Sequence, residues 1–215
     1  MSQKPRTLVQ CDFDGTVTVD DVSFVLLDTF ARGNWRERLK LYQAGKITVG
    51  RFNTEAFSLV AANREALESM ARRAVRIRAG FANFVALCRK KDFRLVIVSN
   101  GLDFYIKTIL QDLGMGDIEV IAARTTFRPD CIEVHYMGPD GVYLDENFKA
   151  AWVDFFLSEG YRVAYVGNGS SDLPAAQKSH CIFATGNLLD DCRELDLKCV
   201  PFTDFKEVVN VLERL

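Results

Sequence analysis

The sequence predicts an α/β protein, with a doubly wound parallel sheet interrupted near its start by an all-helical insertion. Three observations carry this reading. Strand-like apolar runs alternate with helical patterns from Gly80 onward. Residues of about 18 to 76 show helical spacing and caps, with no strand signal. Three predicted strands also end in polar sets, at 12 to 16, 99 to 101 and 167 to 172. Strands alternating with helices build a sheet covered on both faces. In an open sheet of that kind, strand carboxyl ends converge on one crevice.

The first strand is the short apolar run Thr7-Leu8-Val9-Gln10, followed by Cys11-Asp12-Phe13-Asp14-Gly15-Thr16. Asp20 or Asp21 can cap a helix through Phe24, Leu27 and Phe30, which Gly33 and Asn34 break. A second helix carries Trp35, Leu39 and Tyr42 and stops at Gly45. Thr48 caps a third with Phe52, Ala56 and Phe57, and a fourth spans about Arg64 to Val75. Its arginines and those at its exit, Arg72, Arg73, Arg76 and Arg78, read as a solvated face, because Glu65 and Glu68 share the helix. The aromatic side chains Phe24, Trp35, Phe52 and Phe57 read as the core of this insertion.

After a helix from Phe81 to Cys88, Phe93 to Val98 is a nearly continuous apolar run, as in a strand buried on both faces. It is predicted to end at Ser99-Asn100-Gly101. Phe104 to Leu113 is a helix and Ile118 to Ala122 a strand. Cys131 to Tyr136 and Val142 to Leu144, joined by Gly138-Pro139-Asp140-Gly141, read as a β-hairpin. Glu146 to Leu157 is a helix and Tyr161 to Val166 a strand ending in Gly167-Asn168-Gly169-Ser170-Ser171-Asp172. A helix with Pro174 in its first turn follows. Short strands at Cys181 to Ala184 and Lys198 to Val200 flank a helix over 187 to 195, and an amphipathic helix from Asp204 closes the chain.

The 215 residues allow a core domain plus a small insert, assigned as 1–17 and 77–215 for the core and 18–76 for the insert. With 27 Lys and Arg against 29 Asp and Glu, the net charge is −2. That balance gives no electrostatic reason for a nucleic acid or an anionic membrane as partner. No apolar run approaches a membrane span, and the first six residues lack a signal-peptide apolar region. The expected setting is cytoplasmic. The six cysteines form no Cys-x-x-Cys and the two histidines have no catalytic context, so a structural zinc site is not expected.

The three polar strand ends supply what cleavage of a phosphate monoester needs: a nucleophile, a proton donor and positive charge. Asp12 fits the nucleophile. Asp14 fits the acid that protonates the leaving oxygen and then the base that activates water. Ser99 and Asn100, at a strand end before a helix, can grip phosphate oxygens, and Lys149 is the counter-charge. Two crowded carboxylates call for a divalent cation with oxygen ligands, and Asn168 and Asp172 can reach it.

In order and spacing, Asp12-Phe13-Asp14-Gly15-Thr16, Ser99, Lys149 and Gly167 to Asp172 resemble the four motifs of the haloacid dehalogenase-like hydrolases. The resemblance spans essentially the whole chain, and the helical insertion resembles the small cap of the phosphoserine-phosphatase-like branch. It implies a Rossmann-like core, Mg²⁺ held by Asp12, Asp14, Asn168 and Asp172, an aspartyl-phosphate intermediate, and a small phosphate ester as substrate. Arg78 to Phe81, Val98 to Phe104 and the stretches around Asn34-Trp35 and Lys46 to Val49 are similar to the methionine-salvage phosphatases. Those enzymes cleave 2-hydroxy-3-keto-5-methylthiopentenyl-1-phosphate. Phosphoserine phosphatase is the alternative. Asp21 can stand for its acidic cap residue, but no arginine occurs at Thr54 to Ala56, where its carboxylate-binding arginine aligns, and Arg51 is off register. One departure stands out: the fourth motif usually opens with a magnesium-binding aspartate, and here that residue is Asn168. A neutral amide predicts weaker Mg²⁺ binding, and it is the one hint of a different class, a weakly catalytic binding or regulatory protein on the same fold. A phosphomutase would share the intermediate. A nicotinamide-dependent oxidoreductase is excluded by the lack of a Gly-x-Gly-x-x-Gly turn after the first strand.

Overall fold

The computed structural model describes residues 6–214; residues 1–5 and Leu215, the outermost parts of the predicted core segments, lie outside it. Strand β1, Thr7–Cys11, is central in a seven-stranded sheet. The other strands are β2, Arg94–Leu102, β3, Glu119–Phe127, β4, Ile132–His135, β5, Arg162–Gly167, β6, Cys181–Ala184, and β7, Val200–Pro201. Their order is β4-β3-β2-β1-β5-β6-β7, and every pairing is parallel except β3 with β4. The order reverses at β1, so its carboxyl end is the switch point where such a sheet opens a crevice. Leu8, Val9, Gln10 and Cys11 are all fully buried. Because successive strand side chains face opposite ways, both faces of β1 are covered.

Four helices fill the chain between β1 and the next core helix: α1, Val22–Phe30, α2, Trp35–Gln43, α3, Val49–Phe57, and α4, Arg64–Ala74. Three begin with a side-chain cap, two of them, Asp21 and Thr48, as expected. Asp21 accepts from the Phe24 N–H at 3.1 Å, Thr48 from Arg51 at 3.0 Å and Asn63 from Ala66 at 2.9 Å. The chain enters and leaves this segment through one two-stranded ribbon. Thr18 and Ile77 form an antiparallel bridge, the Val19 N–H donates to the Arg76 carbonyl and the Arg78 N–H to that of Val17, both at 2.8 Å.

The remaining helices are α5, Phe81–Lys90, α6, Asp103–Asp112, α7, Phe148–Ser158, α8, Leu173–Lys178, α9, Gly186–Glu194, and α10, Phe205–Leu212. α5 and α10 pack together through Phe84 and Phe205, whose rings stack with centroids 4.9 Å apart.

Two sequence expectations need correction. β2 does not end at Ser99 to Gly101 but runs through them to Leu102 with a slip in register: Val98 pairs with Ile121 and Leu102 with Ala123. Ser99 to Gly101 therefore form a bulged stretch of strand, a device that re-aims side chains next to active sites. The predicted hairpin is also different. β4 pairs with β3, from Arg124 opposite His135 to Phe127 opposite Ile132, and residues 142 to 144 pair not with β4 but with the stretch just after it, through a bridge of Tyr143 to Met137 and the bonds of the Leu144 N–H to the Tyr136 carbonyl at 2.9 Å and the Gly138 N–H to the Val142 carbonyl at 2.7 Å. Past Ala122 the apolar run gives way to the alternation of Arg124, Thr125 and Thr126, which suits an antiparallel edge with one solvated face rather than a strand end.

Candidate active site

The carboxyl end of β1 places the first two acids. The Asp12 N–H extends the ladder by one residue, donating to the Val166 carbonyl at 2.9 Å. The chain then turns through Gly15, whose φ of 73° lies in the left-handed region that glycine enters freely. A Cβ at Gly15 would also overlap the Asn168 side chain, so the turn admits no other residue without displacement. Arg78 fastens this turn from outside the motif. Its guanidinium donates to the carbonyls of Gly15 at 2.6 Å, Thr16 at 2.8 Å and Thr203 at 2.9 Å. The expected solvated face of arginines thus holds for its neighbours but not for Arg78, whose fork satisfies turn carbonyls.

Lys149 lies in the first turn of α7 and is almost wholly buried. Its Nζ is 2.8 Å from Asp12 Oδ1 and 2.5 Å from Asp172 Oδ1. Buried Gln10 donates to the Lys149 carbonyl at 2.9 Å, tying α7 to β1. Burial opposes the charge on Lys149, but Asp12 and Asp172 outweigh it and hold the ammonium above the ordinary lysine range. Burial pushes the Asp12 carboxyl up to about 7, with Lys149 pulling it down.

Asp172 is placed differently from the expectation. It is fully buried and has all its acceptor positions occupied. Oδ1 receives Lys149 and the Tyr165 hydroxyl at 2.7 Å, and Oδ2 receives the N–H groups of Asn168 at 2.9 Å and Gly169 at 2.8 Å. A carboxylate engaged on every lone pair has none left for a cation. Asp172 is corrected from metal ligand to holder of Lys149 and of the 168–169 turn.

Asn168 points the other way, into the cavity. In the amide orientation that satisfies its neighbours, its nitrogen donates to Asp12 Oδ2 at 3.1 Å, the Asp14 carbonyl at 3.0 Å and Thr16 Oγ1 at 2.9 Å. Three oxygens therefore converge on one electropositive group. The same donors, with the amide turned to present its oxygen, suit a hard divalent cation. Among the described residues no cluster of three or more His, Cys, Asp or Glu side chains offers a metal site. The fit is that of one carboxylate, Asp12, the Asp14 backbone carbonyl and a neutral amide, one charge short of the same set with an aspartate at 168.

The Asp14 carboxyl is fixed at both oxygens: Oδ1 accepts the Val22 N–H at 2.9 Å and Oδ2 the Tyr105 hydroxyl at 2.5 Å. Burial, then the nearby charges of Asp21 and Asp12, push it well above the ordinary aspartate range, with the Tyr105 and Val22 hydrogen bonds opposing. A proton donor near neutral pH needs such a raised carboxyl. Ser99 is buried at the cavity wall, its Oγ accepting the Gly101 N–H at 3.0 Å. Asn100 lines the same cavity with its Oδ1 buried and unpartnered. Its carbonyl accepts from Asn53 at 3.1 Å and Tyr136 at 2.6 Å.

Of the site residues the sequence predicts, Asp12, Asp14, Ser99, Asn100, Lys149 and Asn168 line one cavity of about 140 Å³, and Asp172 does not. The helical segment supplies its other wall, including Asp21, Phe24, Tyr42, Phe52 and Asn53. Phe24 and Phe52 thus face the site as well as packing in the helical segment, while Trp35 and Phe57 stay in the core as expected. Sequence reasoning missed Tyr105, Tyr165, Gln10 and Arg78. Each is an ordinary helix, strand or linker residue until the fold brings it to its distant partner, so no local signal marks it.

A sequence model of the family described as haloacid dehalogenase-like hydrolase matches residues 9–177. A protein of Geobacillus thermodenitrificans named 2-hydroxy-3-keto-5-methylthiopentenyl-1-phosphate phosphatase is 31% identical, the match covering 99% of this chain and 98% of that protein. One of the same name from Geobacillus kaustophilus is 29% identical over 95% of this chain and 94% of its own. Among solved structures, a substrate-bound phosphoserine phosphatase superposes with a TM-score of 0.74 at 18% identity, covering 97% of this chain and 99% of that one. At that identity the likeness speaks for the fold alone. With the family match spanning most of the sequence, the chain belongs to the haloacid dehalogenase-like hydrolases.

Proposed function

We propose that this protein is a Mg²⁺-dependent phosphomonoester hydrolase that works through an aspartyl phosphate on Asp12. The observation that carries the reading is the buried Lys149 ammonium, 2.8 Å from Asp12 Oδ1 at the wall of a cavity that Asp14, Ser99 and Asn168 also line. An Asp12 oxygen attacks phosphorus and the ester P–O bond breaks. Asp14 delivers a proton to the departing alkoxide. Water then attacks the aspartyl phosphate, Asp14 takes its proton, and the P–O bond to Asp12 breaks to release phosphate. Ser99, Asn100 and Lys149 bind the phosphoryl oxygens. Asp12, the Asp14 carbonyl and Asn168 would hold Mg²⁺, which supplies charge against that of the phosphate. Residues 18–76 act as a cap over a core of 1–17 and 77–215, and the expected setting is the cytoplasm.

The substrate we propose is 2-hydroxy-3-keto-5-methylthiopentenyl-1-phosphate, the compound in the names of the relatives. The cavity lining supports it over phosphoserine. Among the described residues Lys149 is the one cation lining the cavity, and it is already paired with two aspartates. Arg51 is exposed and bonded to Glu55 at 2.7 Å, away from the cavity lining. Among the described residues no free cation in the wall answers the carboxylate of phosphoserine, whereas Phe24, Tyr42, Val49 and Phe52 offer apolar contact to a neutral tail. The test is hydrolysis of a chromogenic phosphate ester, the pentenyl phosphate and phosphoserine, with Mg²⁺, by wild type and Asp12→Asn. Turnover that vanishes in the variant and favours the pentenyl phosphate is expected. Preference for phosphoserine would overturn the substrate assignment. Phosphate-ester binding without turnover on the whole panel would favour a binding protein that keeps the fold.

A further inference from the structure

We infer that Tyr105 is a positioning residue for the proton-transfer step, acting through Asp14; this rests on the assignment of Asp14 as proton donor. Tyr105 is the third residue of α6, directly after the bulged stretch of β2, and is fully buried. Its hydroxyl is 2.5 Å from Asp14 Oδ2 and 2.7 Å from Ser23 Oγ. A phenol has one proton. When Asp14 is a carboxylate that proton goes to Asp14, so Ser23 must donate to the phenol oxygen. The three groups form a directed chain, Ser23 to Tyr105 to Asp14, that joins α1, α6 and the end of β1.

The contact is built rather than incidental. On its other oxygen Asp14 accepts the Val22 N–H at 2.9 Å. The two bonds fix the plane of the carboxyl, which a single bond would leave free to rotate about its terminal torsion. Gly101 closes the third side. A Cβ there would overlap both the Tyr105 hydroxyl and Asp14 Oδ2, so the bulge in β2 brings bare backbone against the pair. A buried tyrosine hydroxyl needs a partner in any fold, and Ser23 alone would satisfy it. The short second bond to the acid at the cavity wall is what assigns Tyr105 to the reaction.

The role predicts selectivity between leaving groups. An alkyl phosphate releases a strongly basic alkoxide that must be protonated as it departs. A nitrophenyl phosphate releases a stabilised phenolate that needs no proton. Both form the same aspartyl phosphate, and kcat/KM reports only the steps up to it, so a misaimed Asp14 penalises the alkyl ester alone. Misplacement of a reacting group by about 1 Å costs on the order of a hundredfold. With Tyr105→Phe, kcat/KM for a simple alkyl phosphate is expected to fall roughly 10- to 100-fold, and that for p-nitrophenyl phosphate by less than about threefold. A general loosening of the fold would lower both alike. Equal losses on the two esters, or no loss on either, overturn the inference. Ser23→Ala, which keeps the phenol against Asp14 but removes its anchor, is expected to give a smaller loss with the same selectivity. It decides the matter if Tyr105→Phe does not fold. Wild-type turnover of both esters tests the phosphatase reading itself; if wild type cleaves neither, that reading fails first and this one with it.

Discussion

Replacing Asn168 by aspartate tests the least usual feature of the site. In the protein as it stands, the amide nitrogen donates to Asp12 Oδ2 at 3.1 Å and to the Asp14 carbonyl at 3.0 Å. Asn168→Asp removes that donor and puts a second carboxylate in its place. Two unit charges about 4 Å apart repel by about 4 kcal/mol at an effective dielectric constant of 20. Sharing a proton relieves part of this, so about 3 kcal/mol of destabilisation is expected without metal at pH 8. For a domain of this size that is a fall in Tm of roughly 6–12 °C. With Mg²⁺ the sign reverses. A divalent ion gains about 2 kcal/mol from one more negative ligand even at the screening of water, twice the unit-charge value at 4 Å. That corresponds to a roughly thirtyfold lower Kd. Calorimetric Mg²⁺ titration and melting curves in chelator, both on wild type and variant, read the two effects separately. An unchanged Mg²⁺ affinity, or a variant as stable in chelator as wild type, would refute the reasoning that the amide occupies the position of a charge.

Two further perturbations follow from the geometry. Burial raises the Asp21 carboxyl to about 6 from an ordinary 3.8, so the folded chain holds this proton more tightly than the unfolded one. The contribution therefore favours folding at low pH and is lost as pH rises from about 4 through 6. Asn caps a helix as well as Asp does, so Asp21→Asn is expected to gain about 2 kcal/mol above pH 7, after allowance for the lost charge at the helix start, and nothing below pH 4. Urea midpoints across pH measure this, and a gain independent of pH would count against it. Arg78→Lys leaves at least one of the Gly15, Thr16 and Thr203 carbonyls without its donor. A loss of about 2 kcal/mol with reduced kcat is expected; unaltered denaturation and turnover would show that the turn holds without its clamp.

The parts of this protein legible in its sequence were those whose cause is local. Asp12 and Asp14 stand two residues apart at the end of an apolar run, and strand periodicity with a following glycine turn is enough to aim them. Asp21 and Thr48 precede helical spacing, and each accepts the N–H three positions on. What escaped depends on partners far along the chain. Tyr105 is 91 residues from Asp14, and within α6 it is one aromatic residue among apolar neighbours. Arg78 belongs to a run of arginines, and only the turn at Gly15 distinguishes it. Asp172 lies four residues from Asn168, a spacing that suggested a shared ligand set. Yet the 3-10 turn at Ser170–Asp172 points one inward to Lys149 and leaves the other at the cavity. The slip in β2 is invisible for a related reason: an uninterrupted apolar pattern says that a strand is buried, not how it registers with its neighbour.

The ribbon formed by Thr18 and Ile77 bears on how the molecule folds and moves. β1 and β2 are neighbours in the sheet, yet the entire helical segment separates them in the chain. Their pairing is a long-range closure, whose entropic cost grows only logarithmically with the residues enclosed. Pairing the two linkers first turns most of that loop into a side branch, so the sheet need close only the short remainder. The same device constrains opening of the cavity. A segment held by two adjacent linkers can bend about them but cannot slide along the crevice. Opening must therefore break the bonds on the far side of α3: the Gly50 N–H to the Asp145 carbonyl at 3.1 Å, the Asn53 amide to the Asn100 carbonyl at 3.1 Å and the Tyr136 hydroxyl at 2.6 Å, and the Thr54 hydroxyl to the Val134 carbonyl at 3.3 Å. Substrate entry and phosphate release then share one hinge and one latch, and strengthening the latch would slow both together.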